Sequence, residues 1–268
     1  RLVGAGQSDP DAAAARLIEN HKAAKIDLSL LFAASLGGEV RQVCLVVPSS
    51  GRTAALFLSE PFHTGDAGGE EAGLAERVAC VAAAEEHLRR EMPGRVAVMQ
   101  ALPEPGELWT INALRQAGFV NVGELTYLRR PIGRQSGIFS RPPPMPVWPA
   151  GVTVKAVSGL PGGFGGQRAM LEGVLDATYE GTLDCPALCG LRSTRDVLDS
   201  HIAVGQFDPS LWFVVMRDAV PQGCMLLSRC EELRSVELVY LGLAPAVRGL
   251  GLGAKLLDLA MRSMPRAG

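Results

Sequence analysis

Aromatic side chains make up only 5% of this 268-residue chain, and its four histidines stand far apart at positions 21, 63, 87 and 201. Scattered histidines exclude a metal centre built on paired imidazoles at ligand spacing, so they read as ordinary surface or core residues. No uninterrupted apolar run is long enough to cross a bilayer, and no signal-peptide pattern opens the chain, so neither a membrane span nor a membrane partner is expected. The formal net charge of -2 provides no basic field for a phosphate backbone, which argues against nucleic acid as a partner. The six cysteines, at 44, 80, 185, 189, 224 and 230, are too few for a disulfide scaffold and mostly sit inside apolar patterns. They read as reduced structural thiols in a cytoplasmic protein. Cys185 and Cys189 in DCPALC lack a second Cys or His pair, so no metal is expected.

Glycine and proline are plentiful, 31 and 18 residues. Five of the prolines fall in RPPPMPVWPAG, residues 141–151, where missing amide donors and fixed φ hold a chain extended. This is the expected linker between a first domain at 1–140 and a second at 152–268. A proline-rich ligand for a partner domain is the alternative. The length suits two domains, each able to bury its own core.

Before the linker, PDAAAARLIENHKAAK reads as a helix, and RQVCLVVP and TAALFLSE as strands around the turn SSGR. EEAGLAERVACVAAAEEHLRRE follows as a long helix with Leu74, Val78, Val81 and Leu88 on one stripe. RVAVMQAL reads as a strand, ELWTINALRQAGF as a helix closed at Gly118, and VNVGELTYLRRPI as extended chain. After the linker come the strand VTVKAV, a helix from about Gly166 to Tyr179, and a second helix announced by the capping-box spacing of Ser193 and Asp196. The strands LWFVVMR, GCMLLSR and SVELVYLGL then lead to a final helix, GAKLLDLAMRSM. Strands mixed with helices imply an α/β fold, a mixed central sheet flanked by helices in each half.

The most informative stretch is YLGLAPAVRGLGLGAKLLDLAM, residues 240–261. Glycines at 249, 251 and 253 let backbone amides approach a ligand at the start of a helix whose first amides lack intrahelical partners. The helix dipole and Arg248, whose planar fork suits phosphate, make this an anion site for a ligand bearing a di- or triphosphate. A nucleotide-triphosphatase loop fails, because Ala254 and Leu256 flank Lys255 where glycine and a hydroxyl residue belong. A dinucleotide fingerprint fails as well: APAVR separates strand from glycines, and no second strand with an acidic residue follows. A glycine-rich turn that merely packs the helix closely remains the structural alternative.

Arginine, two free positions, glycine, one free position and glycine, after a strand ending in proline and before a helix, resembles the acetyl-coenzyme A loop of the GCN5-related N-acetyltransferase (GNAT) superfamily. Arg248, Gly251 and Gly253 hold its specified positions. The order of elements after the linker is similar to the first two-thirds of that fold, and the two halves together resemble the tandem-module type exemplified by mycothiol synthase. The resemblance implies that acetyl-CoA is the cofactor and that backbone amides of Arg248, Gly249, Leu250, Gly251, Leu252, Gly253 and Ala254 hold its pyrophosphate. It also implies that strand backbone near Leu241 and Leu243 pairs with the pantetheine arm. Glu237, eight residues before Pro245, matches the spacing of the mycothiol synthase catalytic base; a solvated strand carboxylate is the alternative. Tyr179, Thr182 and Asp184 in YEGTLDCP are candidate acceptor contacts, with an ordinary polar interhelical loop as the alternative, and Tyr240 is a core or cleft aromatic rather than an acid.

The chain stops after the loop helix, where a GNAT module continues with a strand, a helix and a hairpin, so the second module reads as truncated and no general acid is nominated. The first half ends like such a module, but EPFHTGDAGGEEAG lacks the arginine-glycine order, which makes it a degenerate module packed against the second. The expected activity is an N-acetyltransferase acting on a primary amine of a small molecule or peptide in a ternary complex, as a monomer or homodimer. A non-catalytic acyl-CoA-binding or protein-interaction module is the alternative.

Overall fold

The computed structural model describes residues 9–23, 26–60, 67–131, 145–231 and 233–263. Residues 61–66 of the first glycine-rich loop and 141–144 of the proline-rich stretch lie outside these. The chain divides into two compact units, Arg1–Asn121 and Val122–Gly268.

In the first unit, helix α1 (Pro10–Asn20) precedes the strands β1 (Leu31–Leu36), β2 (Glu39–Ser49) and β3 (Thr53–Leu58). Helix α2 (Ala67–Glu91), strand β4 (Val98–Gln100) and helix α3 (Leu108–Gln116) follow. The sheet order is β1-β2-β3-β4, antiparallel up to β3, with β3 and β4 parallel. This mixed sheet was expected. Its first strand was not, because LFAASL carries little β-propensity; the clue is the Gly37-Gly38 pair, both at positive φ, which turns β1 into β2. Apolar residues of β2, β3 and α2, among them Cys44, Val46, Leu56, Val81 and Leu88, form its core. Residues 120–131, expected to be extended, belong to no strand.

The second unit runs β5 (Val152–Ala156), α4 (Gly163–Tyr179), α5 (Thr194–Ile202), β6 (Trp212–Arg217), β7 (Val220–Cys230), β8 (Ser235–Leu243) and α6 (Leu252–Ser263). The sheet order is β5-β6-β7-β8, and every described pairing is antiparallel. This corrects the expectation of a mixed sheet in both halves: tight turns at Asp218–Ala219 and at Glu231, Leu233 and Arg234 make β6, β7 and β8 a meander, which can only pair antiparallel. Because β6 is buried on both faces, its residues sort between two cores. Trp212 and Val214 pack with Leu171, Val174, Leu175 and Leu198 of α4 and α5, while Phe213 and Val215 pack with Leu252, Leu256 and Leu259 of α6. Each such side chain contributes roughly 1.5–3 kcal/mol on burial. The predicted capping box forms in full, with Ser193 Oγ accepting from the Asp196 amide and the Asp196 carboxylate receiving the Ser193 amide. The last residues of the proline-rich stretch are fastened to this unit: Trp148 packs on the α6 core and Lys255 Nζ donates to the Val147 carbonyl at 2.7 Å.

Candidate functional site

The glycine loop joins β8 to α6. Ala244 and Val247 are buried, and their amides donate to the Gln222 and Ala244 carbonyls, at 2.7 and 3.0 Å. On the far side Leu252 is buried, so residues 248–251 are held between two anchors and exposed to solvent. Gly249 and Gly251 take φ of +76° and +68°, a region that L side chains rarely adopt, and a Cβ on either would meet nothing within 4 Å. The amides of Gly249, Leu250 and Gly251 have no backbone acceptor among the described residues. Those of Leu252, Gly253 and Ala254 open α6 and precede its first intrahelical bond. A bare, donor-rich loop at a helix N-terminus fits an anion such as a pyrophosphate.

The Arg248 side chain takes a different role from the phosphate fork expected of it. Its Nε donates to the Leu243 carbonyl at 2.8 Å, Nη1 to the Gly181 carbonyl at 3.2 Å and Nη2 to the Thr178 carbonyl at 3.0 Å. Its own amide donates to the Pro245 carbonyl at 3.2 Å. Arg248 therefore staples the loop to the C-terminal end of α4, and the donors that face outward are peptide amides.

On β8 the pairing with β7 shifts register between Leu226 and Leu227, leaving Val239 without a Cα partner. The bulge places two consecutive residues, Val239 and Tyr240, against the α4 and α5 core, whereas Val236, Leu241 and Leu243 pack toward α6. Tyr240 is the centre of a polar-aromatic cluster. Its hydroxyl lies 2.7 Å from Thr178 Oγ1, which itself donates to the Leu175 carbonyl at 2.8 Å, so the Tyr240 proton points at Thr178. Tyr179 meets its ring edge-on at a centroid distance of 5.9 Å, and His201 stacks on it at 5.3 Å. Burial pushes the Tyr240 phenol up to about 12, and burial, with a smaller effect from Tyr240, raises Tyr179 as well. Burial, with a smaller effect from Arg192, brings His201 down to about 4, so its ring is neutral near pH 7. His201 Nε2 is buried with no hydrogen-bond partner among the described residues.

Glu237 is exposed on β8, opposite Ser228 in the ladder, with its Oε2 3.7 Å from Cys230 Sγ. Ser228 Oγ lies within hydrogen-bond reach of the Val204 and Gln206 carbonyls, which tie the end of β7 to the segment after α5. At this end of the sheet a cavity of about 490 Å³ opens, lined by Gly205, Gln206, Arg229, Cys230, Glu231 and Leu233. Thr182 and Asp184 form a local turn, with the Asp184 amide donating to Thr182 Oγ1 at 3.1 Å; it is linked to the glycine loop through the Gly181 carbonyl.

The structure thus brings Tyr179 and Tyr240 together and adds Thr178 and His201, which sequence reasoning passed over. Beyond its bond to Leu175 one turn back, Thr178 carries no local signal, since Tyr240 and Arg248 lie 62 and 70 residues away. Among the described residues no cluster of His, Cys, Asp or Glu could hold a metal ion, and all six cysteines are free. No described helix is long and apolar enough to cross a membrane.

A meander whose last strand bulges, then a pinned glycine loop and a helix, decides the comparison with known proteins. A model of the acetyltransferase (GNAT) family matches residues 177–268. Among solved structures the chain is similar to a GCN5-related N-acetyltransferase from Sphaerobacter thermophilus, with 19% identity, a TM-score of 0.52, and coverage of 97% of this chain and 76% of that one. The fold is that of the GNAT superfamily. The family match begins at the end of α4 and takes in the loop and α6, while the structural match extends the likeness to both sheets, in keeping with two GNAT-like modules. No curated protein matches.

Proposed function

We propose that the second unit is an acetyl-CoA-dependent N-acetyltransferase acting on a primary amine of a small molecule or peptide. The observation that carries this reading is the open run of amides from Gly249 to Ala254, anchored on both sides and bare of side-chain obstruction. Those amides would hold the pyrophosphate, with Arg248 setting the shape of the loop and adding a nearby positive charge. Backbone at Leu241 and Leu243, on the outer strand of the described sheet, would pair with the pantetheine arm. Acetyl-CoA would supply an acetyl thioester: the amine nitrogen bonds to its carbonyl carbon, the C–S bond breaks, and the thiolate leaves as the thiol with the second amine proton.

Glu237 is the base in this scheme. An ammonium acceptor must lose a proton before it can attack, and a solvent-exposed carboxylate beside an open cavity can take that proton directly or through one water. The thioester oxygen needs a donor as charge develops on it, and the out-of-register peptide at Val239 is suited to that task. Tyr179, Tyr240, Thr182 and Asp184 would shape the acceptor side, the two tyrosines as neutral aromatic walls. The first unit, whose glycine-rich loop lacks the arginine-glycine order, serves as a supporting module in this reading. In an amine screen with thiol release as the readout, wild type turns over and Glu237→Gln loses at least tenfold in kcat while its affinity for acetyl-CoA is unchanged. Equal turnover by the variant removes Glu237 from the mechanism, and acetyl-CoA binding without turnover on any amine makes the unit a non-catalytic acyl-CoA binder.

A further inference from the structure

A glutamate exposed on a strand, as Glu237 is on β8, spreads over several rotamers unless something holds it. Ser228 stands directly opposite Glu237 in the ladder but does not restrain it, because its one hydroxyl proton is shared between the Val204 and Gln206 carbonyls. Among the described residues the hydrogen-bond partner of the carboxylate is the thiol of Cys230, with Sγ 3.7 Å from Oε2.

The hairpin builds this contact. Cys230 ends β7 and pairs with Ser235, which opens β8, so Cys230 and Glu237 are diagonal neighbours on one face of the antiparallel ladder. The strand end that carries the thiol is itself clamped. The Gln206 amide donates to the Arg229 carbonyl at 2.8 Å, and Gly205, at φ +54°, lies so close that a Cβ on it would overlap the same carbonyl oxygen. A thiol on fixed backbone can hold a carboxylate that is otherwise mobile. Cys230 also lines the cavity of about 490 Å³, so the carboxylate is held at the edge of that space.

We infer that Cys230 is a positioning residue for Glu237: its S–H donates to Oε2, fixes the carboxylate beside the cavity, and leaves Oε1 to take the proton of the acceptor amine. The inference rests on Glu237 as the base of the proposed reaction. The thiol forms no bond to the acetyl group and gives up no proton in the transfer, so a hydroxyl can replace it and an alkyl group cannot.

Cys230→Val and Cys230→Ser test this. Valine keeps apolar volume and suits a strand, so the hairpin is retained without the donor. In the thiol-release assay Cys230→Val is expected to lose roughly three- to tenfold in kcat with KM for acetyl-CoA unchanged, and Cys230→Ser to recover most of that loss. Equal losses in the two variants, or a rise in KM that follows thermal stability, would assign Cys230 a structural role and overturn the proposal. A second readout needs no turnover: limited alkylation with iodoacetamide, followed by peptide mapping. A carboxylate repels the thiolate that reacts, so Cys230 should be alkylated several times faster in Glu237→Gln than in wild type at the same pH, while the exposed Cys189 reacts equally in both. Equal rates at Cys230 in the two proteins remove the contact and the proposal with it. Faster alkylation in Glu237→Gln combined with no turnover of any amine by wild type keeps the contact but overturns the proposed transferase, and the positioning role falls with it.

Discussion

Arg248 and Thr178 are joined by a 3.0 Å hydrogen bond from the guanidinium Nη2 to the Thr178 carbonyl, and the hydroxyl of the same threonine receives the Tyr240 proton. One residue at the end of α4 therefore connects the glycine loop to the aromatic cluster on the last strand. Replacing Arg248 with Lys keeps the charge but removes the planar fork whose three nitrogens each reach a different carbonyl. Urea unfolding should register a loss of about 1–2 kcal/mol, discounted for solvent exposure of the side chain. If acetyl-CoA affinity follows the shape of the loop more than its charge, Arg248→Lys and Arg248→Gln weaken binding alike; retention of full affinity by the lysine variant alone assigns the role to charge.

Gly242 offers a more local test of the cluster. A Cβ at this position would fall 2.5 Å from the Tyr240 hydroxyl and 2.8 Å from Thr178 Cβ, so Gly242→Ala must displace the tyrosine. The expected cost is about 1–3 kcal/mol, as for overpacking of a filled core, with a change in the near-ultraviolet circular dichroism of the buried tyrosines. A variant with wild-type stability and spectrum would show that Tyr240 is free to move.

His201 predicts how stability depends on pH. Its folded value of about 4 lies below the ordinary 6.5, so between these limits the unfolded chain binds a proton that the folded chain refuses. The contribution is level above pH 6.5, is lost as pH falls toward 4, and is level again below that. Its size is at most about 3 kcal/mol. His201→Phe preserves the stack on Tyr240 and removes the titration, so the slope of unfolding free energy against pH across this window should flatten relative to wild type. Equal slopes in the two proteins would mean that the ring takes up its proton as readily in the folded chain as in the unfolded one.

Much of this fold is legible locally, and the parts that are not share a physical cause. The strands β6, β7 and β8, the Ser193–Asp196 capping box and the helix opening at Leu252 declare themselves through alternation, capping chemistry and glycine placement within a few residues. β1 does not, because Leu31–Leu36 takes its strand state from pairing with β2 and not from its own composition. The loop glycines are legible as a turn into a helix, whereas the carbonyl partners of the Arg248 fork, Gly181 and Thr178, are not, because they lie 67 and 70 residues away. The company that His201 and Thr178 keep is hidden for the same reason: it is set by how α4, α5 and β8 pack, not by neighbours in sequence.

If the amides at the start of α6 hold the pyrophosphate of acetyl-CoA, isothermal titration of acetyl-CoA into this chain and into Gly253→Glu distinguishes the two proteins. Gly253 is in the first turn of α6, and a Cβ there meets nothing within 4 Å, so glutamate fits and, near a helix N-terminus, favours the helix. Saturable binding to wild type, lost in a variant that unfolds no earlier than wild type, is the predicted result. Equal binding to both proteins would place coenzyme A elsewhere, and no binding to either would leave the glycine loop a structural turn.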